Sequence, residues 1–153
     1  MVIDDIDLEI IDILREEGRI TYTDLAGRTG LTGPSIAERV RRLESQGVIR
    51  SFTARLDPAA VGLTLTAFIA VSLTGSGDRA AFLDAVAAID EVVECHHLAG
   101  EDDYLLKVHV AGTQDLERLI SDDLRAVPHV ARTRTMIALS TPLERDLRIP
   151  RRT

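Results

Sequence analysis

Apolar residues at Ile6, Ile10, Ile13 and Leu14 recur at helical spacing and predict a first helix from about Asp5 to Glu17, ended by Gly18. Thr23 is placed to cap a short second helix over 24–29 that buries Leu25 and Ala26, and Gly30 breaks it. Thr32 caps a third helix, Pro34 sits in its first turn where a missing N–H costs nothing, and Gly47 closes it after Gln46. At about 100° per residue, Ile36, Val40 and Leu43 share one stripe of that helix and are its buried side. After Gly47 the period changes. Val48 to Leu56 reads as a turn and then a strand, a wing plus a connecting strand, stopped at Asp57-Pro58.

The second half repeats itself. Ile69, Val71, Leu73, Gly75 and Asp78 match Leu106, Val108, Val110, Gly112 and Asp115 at a shift of 37, and Ala88, Val92, Cys95 and His97 match Ala126, Val130, Thr133 and Thr135 at 38. Each copy reads strand, Gly-rich turn, helix, strand, with helices near 78–88 and 113–126 and strands near 67–73, 92–98, 104–110 and 130–139. The fold class predicted is α+β: an N-terminal winged helix-turn-helix over 1–50, a connecting strand and linker over 51–64, and a C-terminal ferredoxin-like βαββαβ sandwich over 65–153. Helices cover one sheet face. Phe68, Ala70, Leu105, Ile137 and Leu139 are expected on the other, where a second subunit is the natural cover, so a homodimer is expected.

Composition narrows the classes. No apolar run approaches the ~18 to 20 residues of a membrane span, the start Met1-Val2-Ile3-Asp4-Asp5 is acidic where a secretory signal is basic, and a cytoplasmic address is expected. A single cysteine, Cys95, leaves neither an intramolecular disulfide nor a zinc-binding cysteine set. The net charge of -7 argues against a protein that coats nucleic acid without preference. Charge is unevenly spread, however: 28–55 holds six arginines against Glu38 and Glu44. The basic tail Arg148 to Thr153 is expected to be solvated and disordered.

That local excess surrounds the third helix. Opposite Ile36, Val40 and Leu43 lie Pro34, Glu38, Arg41, Arg42 and Ser45, with Ser35 and Ala37 at the flanks and Thr32 and Gly33 at the start. A recognition helix pushes its N-terminal end into the major groove of double-stranded DNA. Ser35, Ala37 and Glu38 are therefore assigned to base reading, since Glu accepts from cytosine and Ala touches a thymine methyl, and Arg41 and Arg42 to phosphates. Arg39 borders the buried stripe and suits an internal salt bridge as well as a phosphate.

Taken in order, Ile6 to Ile11, Asp24-Leu25-Ala26, Leu31-Thr32, Arg39 to Glu44 and Gly47-Val48-Ile49 resemble the Lrp/AsnC, or feast/famine, family of transcriptional regulators. Gly100-Glu101-Asp102-Asp103-Tyr104-Leu105-Leu106 adds an independent match, and Thr32 departs from the serine usual at its place while still capping. The resemblance implies regulation by an amino-acid effector and dimers assembling further to octamers. Chemically, a carboxylate of the 100–104 loop suits an ammonium, and backbone N–H groups freed by Gly100 suit an α-carboxylate. The resemblance places the effector at Gly100, Asp102, Asp103 and Tyr104, with Thr133 and Thr135 as further candidates.

Other readings weigh less. His96-His97 on one strand point to opposite faces, so no metal is expected, and no cofactor is implied. No Gly-rich phosphate loop or nucleophile elbow is present, so no enzyme is expected, although some tetrapyrrole-pathway enzymes share a similar two-domain layout. An architectural DNA protein without an effector remains an alternative.

Overall fold

The structure, a computed structural model, describes residues 3–75, 78–147 and 149. It divides into two compact units: residues up to Ala54 with the segment beginning at Leu143, and Arg55–Pro142. The expected solvation of the tail concerns Arg148 and 150–153, which lie outside the described residues.

Unit one is built on α1 (Asp5–Glu16), α2 (Tyr22–Thr29) and α3 (Gly33–Ser45). Asp4 caps α1 in a capping box with Asp7, so two of the orphan N–H groups at that end are satisfied reciprocally. The α2 cap is Thr21, not Thr23: its hydroxyl accepts from the Asp24 N–H, the residue three places on whose carboxylate in turn accepts from that hydroxyl. Gly30 and Gly47, both in the left-handed region, end α2 and the turn after α3, and the Leu43 carbonyl takes the N–H groups of Val48 and Ile49. Ile10, Leu14, Leu25, Ala26, Ile36, Val40 and Leu43 form the core, with Ile6, Ile20, Leu31, Val48 and Ile49 packed against it. Burying each large aliphatic contributes about 1.5 to 3 kcal/mol.

The expected wing and connecting strand do not form. No strand is present among the described residues before Leu65, and 50–57 is exposed. Val48 and Ile49 are drawn down onto the helices, and no described strand pairs with the exposed residues beyond.

Unit two bears out the duplication. β1 (Leu65–Leu73), α4 (Arg79–Ala87) and β2 (Val92–His97) are followed by β3 (Tyr104–Val110), α5 (Thr113–Arg118) and β4 (Val130–Ile137), with a wider π-type turn over Leu119–Leu124 continuing α5. The antiparallel sheet runs β2-β3-β1-β4, the ferredoxin-like order. Strand periodicity places Ala67, Ile69, Val71, Tyr104, Leu106, Val108 and Val110 on the helix-covered face, against Phe82, Val86, Leu116, Leu119 and Leu124. Phe68, Ala70 and Leu105 are on the open face as expected, joined by Met136. Ile137 is not: it pairs with Ala67 and so faces the helix side, and Leu139 lies beyond the end of β4. One register step decides the face.

Candidate nucleic-acid interface and effector loop

Helix α3 owes its position to both its ends and its middle. The Thr32 hydroxyl accepts from the Ser35 N–H, Pro34 enters the first turn, and Ile36, Val40 and Leu43 are buried. Pro34, Glu38 and Arg41 are left exposed, Gly33, Ser35 and Ala37 are half-buried on the flanks, and Thr32 is exposed at the start. The predicted reading face therefore assembles as one surface.

Its charge is smaller than the sequence suggests. Arg28 lies bidentate on Glu17, at 2.6 and 2.9 Å. Arg39 donates to Asp4 at 2.8 Å and Asp7 at 2.7 Å, and Arg42 donates to both oxygens of Asp7 at 2.8 and 2.7 Å. Arg39 thus takes the internal role. Arg42, assigned to phosphate alone, is anchored to the buried Asp7 while its side chain stays 44% exposed. Arg39, and then the Asp7 N–H, hold the Asp4 carboxyl below its usual range. Among the described residues of 28–50, Arg41 and Arg50 have no acidic partner, and Arg41 touches only its own helix, at the Ala37 carbonyl. Pairing of Asp4 and Asp7 with Arg39 and Arg42 escaped the sequence reading. The available signal was two acids three apart matching two arginines three apart, 35 residues downstream.

The 98–103 loop joins β2 to β3. Gly100 and Glu101 are exposed. Asp103 spends its backbone and one oxygen on structure: its Oδ2 accepts from the Leu73 N–H at 2.7 Å, its N–H donates to the Val71 carbonyl and its carbonyl accepts from Leu98. Asp102 does not offer a free carboxylate. It is 7% exposed and accepts from Ser72 at 2.9 Å, Arg132 at 3.2 Å and Arg134 at 2.7 Å. Arg134 first, then Ser72, draws its pKa below the ordinary carboxylate value. Ser72, Arg132 and Arg134 were absent from the sequence reading, although arginines two apart on a strand necessarily share a face.

Tyr104 is a core residue, its ring 4.6 Å from Phe82 and 5.1 Å from His97. Thr133 and Thr135 are half-buried opposite Val71 and Ile69 on the helix side, whereas Asp102 meets its arginines on the open side. The six candidates are thus split between two faces. Tyr104 and Thr133 share a row, two strand spacings or about 10 Å apart across Val71. His96 and His97 fall on opposite faces, the former on Glu94, the latter on Tyr104. Among the described residues no set of three His, Cys, Asp or Glu is placed to hold a metal.

Two protein families match the chain: winged helix-turn-helix DNA-binding over residues 3–50, and the Lrp/AsnC ligand binding domain over residues 66–147. The chain belongs to the Lrp/AsnC family. The HTH-type transcriptional regulator LrpA of Mycobacterium tuberculosis is 40% identical over 139 residues, covering 91% of each chain. The leucine-responsive regulatory protein of Escherichia coli is 37% identical over 90% of this chain and 85% of its own. A feast or famine regulatory protein from M. tuberculosis complexed with L-methionine superposes with a TM-score of 0.89, at 38% identity over 97% of this chain and 100% of that one. A Neisseria meningitidis transcriptional regulator in complex with L-Met has a TM-score of 0.87 at 31% identity, over 97% of each chain. As a member of the Lrp/AsnC family this chain is a DNA-binding transcriptional regulator and not an enzyme. No described helix is long and apolar enough to cross a membrane.

Proposed function

We propose that this Lrp/AsnC protein reads double-stranded DNA with the exposed face of α3 and that an amino acid bound at the 98–104 loop modulates that binding. Methionine is the first candidate, because two solved relatives of the same fold hold it. Glu38, Ser35 and Ala37 read bases, with Thr32, Gly33 and Pro34 at the groove edge and Arg41 on a phosphate. In the loop, the Asp103 Oδ1 is left by the Leu73 bond to meet an ammonium, and the exposed N–H groups around Gly100 suit an α-carboxylate. Asp102 steadies the loop from the open side of the sheet, and Tyr104, Thr133 and Thr135, on the helix-covered side, are the less direct candidates.

The observation carrying this reading is the coexistence in one chain of an uncovered polar α3 face and a loop with unspent polar groups. Residues 1–50 serve as reading head, 51–64 as connector and 65–153 as effector and assembly domain, working in the cytoplasm as a homodimer through the open sheet face and assembling to an octamer. The apolar strip of Phe68, Leu105 and Met136 supports that face as the subunit contact. A coupling of ~1 to 3 kcal/mol between effector and DNA changes affinity several-fold to a hundredfold.

Calorimetric titration of the full chain with the twenty amino acids tests the effector. Heat from methionine or a related apolar amino acid is expected, and none from any of them refutes it. For DNA, Arg41→Ala is expected to lower the slope of log affinity against log salt by about one, as the loss of one phosphate contact does. An unchanged slope means the wrong surface has been assigned.

A further inference from the structure

One buried carboxylate ties α1 to the back of the reading helix. Asp7 is 1% exposed and receives both bonds from the Nη2 of Arg42, one from Arg39 and one from the Asp4 backbone. Only Nη2 is engaged by Asp7, while Nε and Nη1 of Arg42 meet no acceptor among the described residues and the side chain is nearly half exposed. Guanidinium is planar and rigid, so fixing one nitrogen on two oxygens fixes the directions in which the others donate.

Position on the helix gives those free donors a target. With Ile36 at zero, Pro34, Glu38 and Ser45 fall at about 160° to 200°, Arg41 at about 140° and Arg42 at about 240°. The two arginines thus border the polar face on opposite sides, as the two phosphate backbones border a helix lying in the major groove. Arg41 is held only by its own helix, whereas Arg42 is held by a neighbouring one.

We propose that Asp7 is a positioning residue for DNA recognition: it presets Arg42 as a phosphate clamp that fixes the depth and tilt of α3 in the groove. This rests on the assignment of the α3 face to DNA. Asp4 and Asp7 against Arg39 and Arg42 carry no net charge, so the cluster supplies geometry and little long-range attraction. Removing the Asp7 charge frees an arginine, which strengthens binding to any duplex while the fixed contact is lost from the chosen one.

The probes are a duplex selected by the native protein from a random library and a scrambled duplex of equal composition. Arg42→Ala is expected to weaken the selected duplex about tenfold and lower its salt slope by about one. Asp7→Asn is expected to cut the ratio of selected to scrambled affinity several-fold, by weaker binding of the first and stronger binding of the second. Arg42→Lys keeps the charge and does not restore the ratio. The inference is overturned if Arg42→Ala changes neither affinity nor slope, or if Asp7→Asn lowers both duplexes in parallel. Should Asp7→Asn unfold, the two Arg42 variants, which keep the Asp7 to Arg39 pair, decide the matter. Failure of the α3 assignment itself looks different: no duplex is selected, or Arg41→Ala is without effect.

Discussion

Asp102 is charged and buried because two guanidiniums and a hydroxyl replace the water it gives up. Its folded pKa lies below the unfolded value of about 3.9. The stabilisation it brings is therefore complete above the unfolded value and is lost as pH falls through the folded one. Urea unfolding at a series of acid pH values is expected to show a shallower loss of stability in Asp102→Asn than in the native chain, with the variant already weaker at neutral pH. An unchanged acid limb shows that the Arg134 pair does not persist in solution. The sequence singled out this residue among three acids in a row but not its arginines, which lie 30 and 32 residues away and are delivered by the pairing of β4 with β1.

Among the elements, α3 was legible in almost every detail, since cap, proline, apolar stripe and closing glycine are all local signals. Thr32→Ala is expected to cost about 1 kcal/mol through the lost cap. Leu43→Ala is expected to cost about 2 to 5 kcal/mol through transfer and cavity terms. Both are measurable from hydrogen exchange of α3 amides in the full chain, and equal effects of the two would contradict the packing described. The wing was misread because a strand is not a local object. Arg50 to Leu56 has acceptable strand residues, but no described strand pairs with them. In α4 the Asp78 side chain caps the helix, while its copy α5 starts at Gly112 without a side-chain cap, so the duplication preserves the fold and not each local device.

For the whole molecule, the open sheet face is the largest consequence of topology. Phe68, Leu105 and Met136 come from three strands and meet only when β1 lies between β3 and β4. Phe68→Glu is expected to abolish the homodimer proposed through this face, read as a monomeric mass by light scattering at micromolar concentration, while α3 remains folded; an unchanged mass in that variant refutes the proposed contact.

Sequence alone determined the three N-terminal helices, the duplicated strand-helix-strand plan of the second unit and the polar face of α3, because those depend on caps and periodicities spanning a few residues. Only tertiary structure decided which charges were available: Arg39 and Arg42 went to Asp7, and Arg132 and Arg134 went to Asp102, across separations of 30 to 35 residues. A charge is counted from composition, but its partner is chosen by packing, and burial then makes that choice costly to undo.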